Sequence, residues 1–125
     1  MRIARFDHIV LTVADIGRTC EFYRRALGMA VVTFGEGRTA LAFGDQKINL
    51  HLRGREADLK ARRPTPGSGD FCLIAEEPLS EVIAHLEAAG VAIEAGPVAR
   101  EGALGPMTSI YFRDPDDNLV EIATY

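Results

Sequence analysis

"HIVLTVADIGRTCEFYRRALG", residues 8–28, sets the reading of the whole chain. Its first part is rich in β-branched residues, which predicts a strand over 6–13. From Asp15 the apolar period changes. Ile16, Cys20, Tyr23, Ala26 and Leu27 then share one helical face, and Gly28 stands where a helix would stop, so 15–28 is expected to be a helix. The same grammar returns in "DFCLIAEEPLSEVIAHLEAAG", residues 70–90. His8 to Gly28 and Asp70 to Gly90 are both 20 residues, and Leu11 to Gly28 and Leu73 to Gly90 are both 17. In the second copy a strand over 70–77 leads to a helix over 79–90, with Leu79, Val82, Ile83, Leu86 and Ala89 at helical spacing.

Three short strands follow each helix. In the first half they are "MAVVTFGEG", "RTALAFGD" and "KINLHLRG", broken by glycine-containing turns. In the second they are "VAIEAGPVAR", "MTSIYFRD" and "NLVEIATY". The prediction is an α+β fold of two tandem βαβββ modules in one domain, 1–125. Module one covers 4–53 and module two 70–125. The charged, proline-bearing stretch 54–69 between them is a solvated linker, because a run of charge is usually a wet surface. Neither module can bury its sheet alone, so the two should pair.

Composition narrows the function. The 125 residues are 47% hydrophobic and 26% charged, enough for a core without covalent staples. A net charge of −4 argues against a nucleic-acid partner, which wants a basic face. No apolar run reaches the roughly 20 residues of a membrane span, and the N-terminus lacks a signal peptide's apolar segment, so a cytoplasmic location is expected. Cys20 and Cys72 form no disulfide or zinc pattern and read as reduced core residues.

The repeat also aligns chemistry. Superimposing the first strands puts His8 on Asp70. Gly44 to His51 and Asp114 to Glu121 are both 7 residues, which puts His51 on Glu121. By these anchors the second half carries 8 extra residues, assigned to a loop in "REGALGPM". Four residues of metal-ligand type thus fall on two equivalent positions. Strand parity places His8 with Val10 and Thr12, Glu121 with Leu119 and Ala123, and Ser109 with Tyr111, away from the apolar faces. If each sheet curves with these faces inward, His8, His51, Asp70 and Glu121 converge. Imidazole with carboxylate suits a borderline divalent ion: Zn, Ni, Co, Mn or Fe. The third histidine, His85, has no such counterpart and reads as a helix-surface residue.

The segments "DHIVLTVADIGRTCEFYRRALGM" and "GPMTSIYFRDPDDNLVEIATY" resemble the vicinal oxygen chelate superfamily, which holds glyoxalase I, bleomycin resistance proteins, fosfomycin resistance enzymes and extradiol dioxygenases. Through "ALAFGDQKINLH" and "PTPGSGDFCLI" the chain looks closest to the glyoxalase domain-containing protein 5-like group. The resemblance implies a curved mixed sheet around a central, metal-holding cavity, and a homodimer, with modules paired within one chain or exchanged between two. It matches the family's first-strand His to His8 and its last-strand Glu to Glu121. The chain departs at His51, where glyoxalase I commonly has a carboxylate, and at Asp70, where it has a histidine. Glyoxalase activity is therefore not transferred.

The expected function is a metal-dependent enzyme acting on a small molecule that chelates through vicinal oxygens. Its reaction would be a lyase step, an isomerisation, an epoxide opening or, less favoured, an oxygenation. Asp70, if not a ligand, would be the general base. Asn49, Arg53, Ser109 and Tyr111, with Lys47, would orient substrate. The alternative is a metal-free protein that sequesters a small molecule, as bleomycin resistance proteins do; the low aromatic content, 7% with no Trp, argues against it.

Overall fold

The computed structural model describes all of residues 1–125. The chain divides into two compact units, Met1–Pro66 and Gly67–Tyr125. The first contains β1 (His8–Val13), α1 (Ile16–Leu27), β2 (Ala30–Phe34), β3 (Arg38–Phe43) and β4 (Gln46–Leu52). The second contains β5 (Asp70–Ile74), α2 (Leu79–Ala88), β6 (Ile93–Gly102), β7 (Gly105–Arg113) and β8 (Leu119–Thr124). Each unit is βαβββ, as the repeat predicts.

Both units fold to the same mixed sheet. The strand orders are β1-β4-β3-β2 and β5-β8-β7-β6, with the first and last strand of each module parallel and the rest antiparallel. The helix is the crossover that lets the chain return to antiparallel hairpins beside its first strand. In the first unit Asp15 caps α1, its carboxylate accepting from Arg18 N–H at 2.8 Å. Gly28 ends the helix in the left-handed conformation (φ 64°), which glycine adopts without a Cβ clash. α1 lays Cys20, Tyr23 and Ala26 inward, and the sheet buries Leu11, Val13, Leu41, Ile48 and Leu50. The second core is built from Leu86, Val91, Ile110, Phe112, Val120 and Ile122. Fully burying each large apolar side chain stabilises by roughly 1.5–3 kcal/mol.

Two expectations change. The segment "REGALGPM" is not a loop. β6 runs to Gly102 and β7 restarts at Gly105, joined through Ala103 and Leu104, so the extra residues lengthen a hairpin. Gly105 takes φ 123°, a conformation that favours glycine, which is what permits so tight a connection. And Cys72 is exposed, whereas Cys20 is buried as expected.

The β7–β8 connection is a side-chain-built turn. Asp114, buried, accepts from the backbone N–H of Asp116 (2.9 Å) and Asn118 (3.0 Å) and from Asn118 Nδ2 (2.8 Å). Asn118 Oδ1 in turn accepts from Gly69 N–H at 2.7 Å. "DPDDN" is thus a scaffold that ties the start of β8 to the residue before Asp70.

Candidate functional site

Sheet register fixes which side chains share a face. In the first unit His8, Val10 and Thr12 lie directly opposite Lys47, Asn49 and His51, and β3 sets Ala42 and Ala40 beside Lys47 and Asn49. The core residues Leu11, Val13, Ile48 and Leu50 point the other way, by the strand period of two. In the second unit Asp70 and Cys72 lie opposite Leu119 and Glu121, and Tyr111 and Ser109 flank Glu121 and Ala123. All the residues singled out on these strands therefore occupy the face turned away from their own module's core strands.

The register corrects the repeat alignment. His8 is separated from its ladder partner Lys47 by 39 residues, and Asp70 from Leu119 by 49, a difference of ten, not eight. With His8 on Asp70, the counterpart of Glu121 is Asn49, and His51 matches Ala123. The turn spacing misled because "GD" and "DPDDN" differ in length, and a two-residue slip preserves the face and so escapes parity. Each module thus offers a diagonal donor pair: His8 with Asn49, and Asp70 with Glu121.

Five buried polar atoms on these faces share one property. Asn49 Oδ1, both ring nitrogens of His51, Ser109 Oγ and Glu121 Oε1 are buried without a hydrogen-bond partner. Leaving such a group unsatisfied costs about 1–3 kcal/mol, and folded proteins tolerate few. Each module sets such atoms on its polar face, as a surface awaiting a ligand does.

His8 is exposed, and its Nδ1 lies 2.8 Å from Asp7 Oδ1. With the proton on Nδ1 donated to Asp7, Nε2 keeps its lone pair, the arrangement of a metal-ligating histidine oriented by a carboxylate. That hydrogen bond is the main reason the Asp7 carboxyl sits below its ordinary range. Asp70 is exposed, at the start of the ladder that β5 makes with β8, and its charge reaches Arg113. Cys72 faces Glu121. Crowding around its sulfur, then the carboxylate beside it, pushes the thiol up to about 11, although the residue as a whole is open to solvent.

The other predicted residues divide. Ser109 and Asn49 are buried. The Tyr111 hydroxyl is engaged: it accepts from Arg100 Nε at 2.9 Å, and the Arg100 guanidinium lies 5.5 Å from its ring centroid. Arg53 is exposed just past β4, where its backbone N–H donates to Val13 O at 2.9 Å. No group of three or more His, Cys, Asp or Glu side chains lies close enough to hold a metal ion. The sequence reading missed Asp7 and misassigned Cys72. The first stood beside His8 in "FDHI", and the second shares Asp70's face at i+2 parity.

Residues 5–122 match the model of the Glyoxalase/Bleomycin resistance protein/Dioxygenase superfamily. The chain belongs to this superfamily. Within it, the chain is 53% identical to the virulence protein STM3117 of Salmonella typhimurium over all 125 residues, 87% of that protein. The crystal structure of that relative matches at a TM-score of 0.98, covering 100% of this chain and 99% of the other. An integron cassette protein from the mobile metagenome of V. cholerae is 54% identical, with a TM-score of 0.98 over 100% of this chain and 98% of its own. The glyoxalase domain-containing protein RDO1 of Mycosarcoma maydis is 48% identical over the full chain, 70% of that protein. No helix is long and apolar enough to cross a membrane.

Proposed function

We propose that this superfamily member is a divalent-metal-dependent enzyme acting on a small molecule with vicinal oxygens. One observation carries the reading. At the equivalent position of both modules, Asn49 and Glu121, a buried side-chain oxygen has no hydrogen-bond partner, and each stands diagonal to a second donor, His8 or Asp70. A structural role would have satisfied these oxygens within the fold; a ligand satisfies them from outside.

In module one His8 through Nε2 and Asn49 Oδ1, and in module two Asp70 and Glu121, would be the donors offered to such an ion, with His51 one step beyond Asn49 on the same strand face. This mixed set suits Zn, Ni, Co, Mn or Fe. When bound, such an ion polarises a substrate oxygen. The chain's own residues do the rest. Asp7 holds the His8 ring. The unspent donors and acceptors of His51 and Ser109 orient polar substrate groups, and Asp70 is the group placed to take a proton if Glu121 alone provides the module's carboxylate ligand. A lyase, isomerase or epoxide-opening reaction fits better than a dioxygenase. A cytoplasmic homodimer working as one domain over 1–125 completes the reading.

Metal content of protein purified without chelator tests it. Glu121→Gln and His8→Ala should each weaken metal affinity at least tenfold. Asp70→Asn separates the two roles of that residue: metal lost means ligand, metal kept with turnover lost means base. A protein that takes up none of these ions, and binds small molecules equally well with Glu121→Gln, is instead a metal-free sequestration protein.

A further inference from the structure

The polar face of module one carries two cations that no carboxylate neutralises. The Lys47 ammonium lies 3.6 Å from the centroid of the Phe34 ring, and the Arg38 guanidinium carbon lies 4.7 Å from the same centroid. The two charges are therefore no further apart than those distances added. Neither makes an ion pair. The carboxylate that feels Lys47, Asp7, is hydrogen-bonded to His8 instead. All three residues share one sheet face: Lys47 stands directly opposite His8 on β1, and Arg38 opposite Phe34 on β2. Between them the face carries Val32 beside the small side chains of Ala30, Ala40 and Ala42.

Like charges this close repel, within a Debye length of about 10 Å at ordinary ionic strength. One ring attracts each cation only modestly. The arrangement is favourable once an anion joins it, and a guanidinium fork beside an ammonium matches the oxygens of a carboxylate, phosphonate or phosphate.

We propose that Lys47 and Arg38, held on the Phe34 ring, form an anion subsite, so that the substrate of the reading above is a small oxygenated acid. The inference rests on that reading for the word substrate, but the subsite stands or falls by itself. Phe34 is the positioning residue: it fixes where the two charges meet.

The test titrates the full chain with inorganic phosphate, acetate and neutral acetamide, following the Phe34 ring resonances by NMR. Phosphate and acetate should move them by about 50 mM, past the Kd of a millimolar site, and acetamide should not. Lys47→Met and Arg38→Met should each weaken the anion about fivefold, the scale of one exposed charge pair. Phe34→Leu should weaken it while leaving both charges in place. Phosphate alone moving the ring assigns a phosphate or phosphonate group; both anions moving it assigns a carboxylate as well. No anion-dependent shift, an acetamide shift equal to acetate's, or a shift that survives both charge removals overturns the subsite. Titration of the same samples with Zn²⁺, Ni²⁺, Co²⁺, Mn²⁺ and Fe²⁺ reports on the metal reading separately. Anion binding with no uptake of Zn²⁺, Ni²⁺, Co²⁺, Mn²⁺ or Fe²⁺ fells the metal reading and keeps the subsite; metal binding without anion binding does the reverse.

Discussion

Replacing Asn118 by alanine should cost about 2.5–4 kcal/mol of stability. Its Nδ2 donates to the buried Asp114 carboxylate at 2.8 Å, and its Oδ1 accepts from Gly69 N–H at 2.7 Å. A hydrogen bond to a charged group contributes about 1.5–3 kcal/mol, and the neutral one about 1 kcal/mol. Asn118 is itself almost wholly buried, so water does not replace either bond readily. Asp114 keeps its two backbone donors, Asp116 and Asn118 N–H, which limits the loss. Against the 5–15 kcal/mol of a typical domain this is a large fraction. Urea unfolding followed by far-UV circular dichroism measures it, with the slope of the transition unchanged. A loss below about 1 kcal/mol would mean that the turn holds without its side chains, and that the scaffold role given to "DPDDN" is wrong.

Other expectations follow from single contacts. Asp7→Asn should weaken metal affinity about 10–100-fold, since it disturbs the group that orients His8; isothermal titration with Zn²⁺ checks it, and unchanged affinity would remove Asp7 from the site. The Cys72 thiol is pushed up to about 11, so iodoacetamide should react slowly at pH 8 and accelerate toward pH 11, with Cys72→Ser as the blank. Glu121→Gln should shift that profile to lower pH. Because the native pKa lies above the unfolded value of about 8.5, the native state holds this proton longer. The thiol's contribution to stability is therefore complete below about 8.5 and is lost as pH rises through 11, measurable as a falling urea midpoint. Gly67→Ala should destabilise by about 2 kcal/mol or more: φ there is 84°, and a Cβ would meet the Asp116 carbonyl oxygen at 2.6 Å. An unchanged melting temperature would refute the close approach.

The fold was legible because its signals were local and repeated. Helix faces such as Ile16, Cys20 and Tyr23, and Gly28 and Gly90 at their ends, recur at fixed spacing, and two copies confirm one another. The face of each candidate residue was legible too, since strand parity needs no register. Register itself was not. It depends on how many residues each turn consumes, and "DPDDN" folds back on its own Asp114 and Asn118 while "GD" does not. That is why His51 was aligned with Glu121 when Asn49 belongs there. The β6–β7 hairpin was hidden for a related reason: Gly and Pro in "REGALGPM" signal a loop locally, but strand pairing across Gly102 and Gly105 overrides them. Residue type misleads at Cys72: cysteine is usually buried, but strand parity sets this one on the face of Asp70, where it is exposed.

The two donor pairs are anchored over very different lengths of chain. His8 is oriented by Asp7, its immediate neighbour, a contact that any segment containing the dipeptide can make. The frame around Asp70 and Glu121 relies on Asn118 reaching Gly69, 49 positions away in sequence. Exposed contacts open at little cost, whereas buried ones open only with the unit that holds them. The His8–Asp7 contact is exposed and the Asn118 contact buried, so on warming the imidazole loses its orientation while the carboxylate pair still keeps its frame.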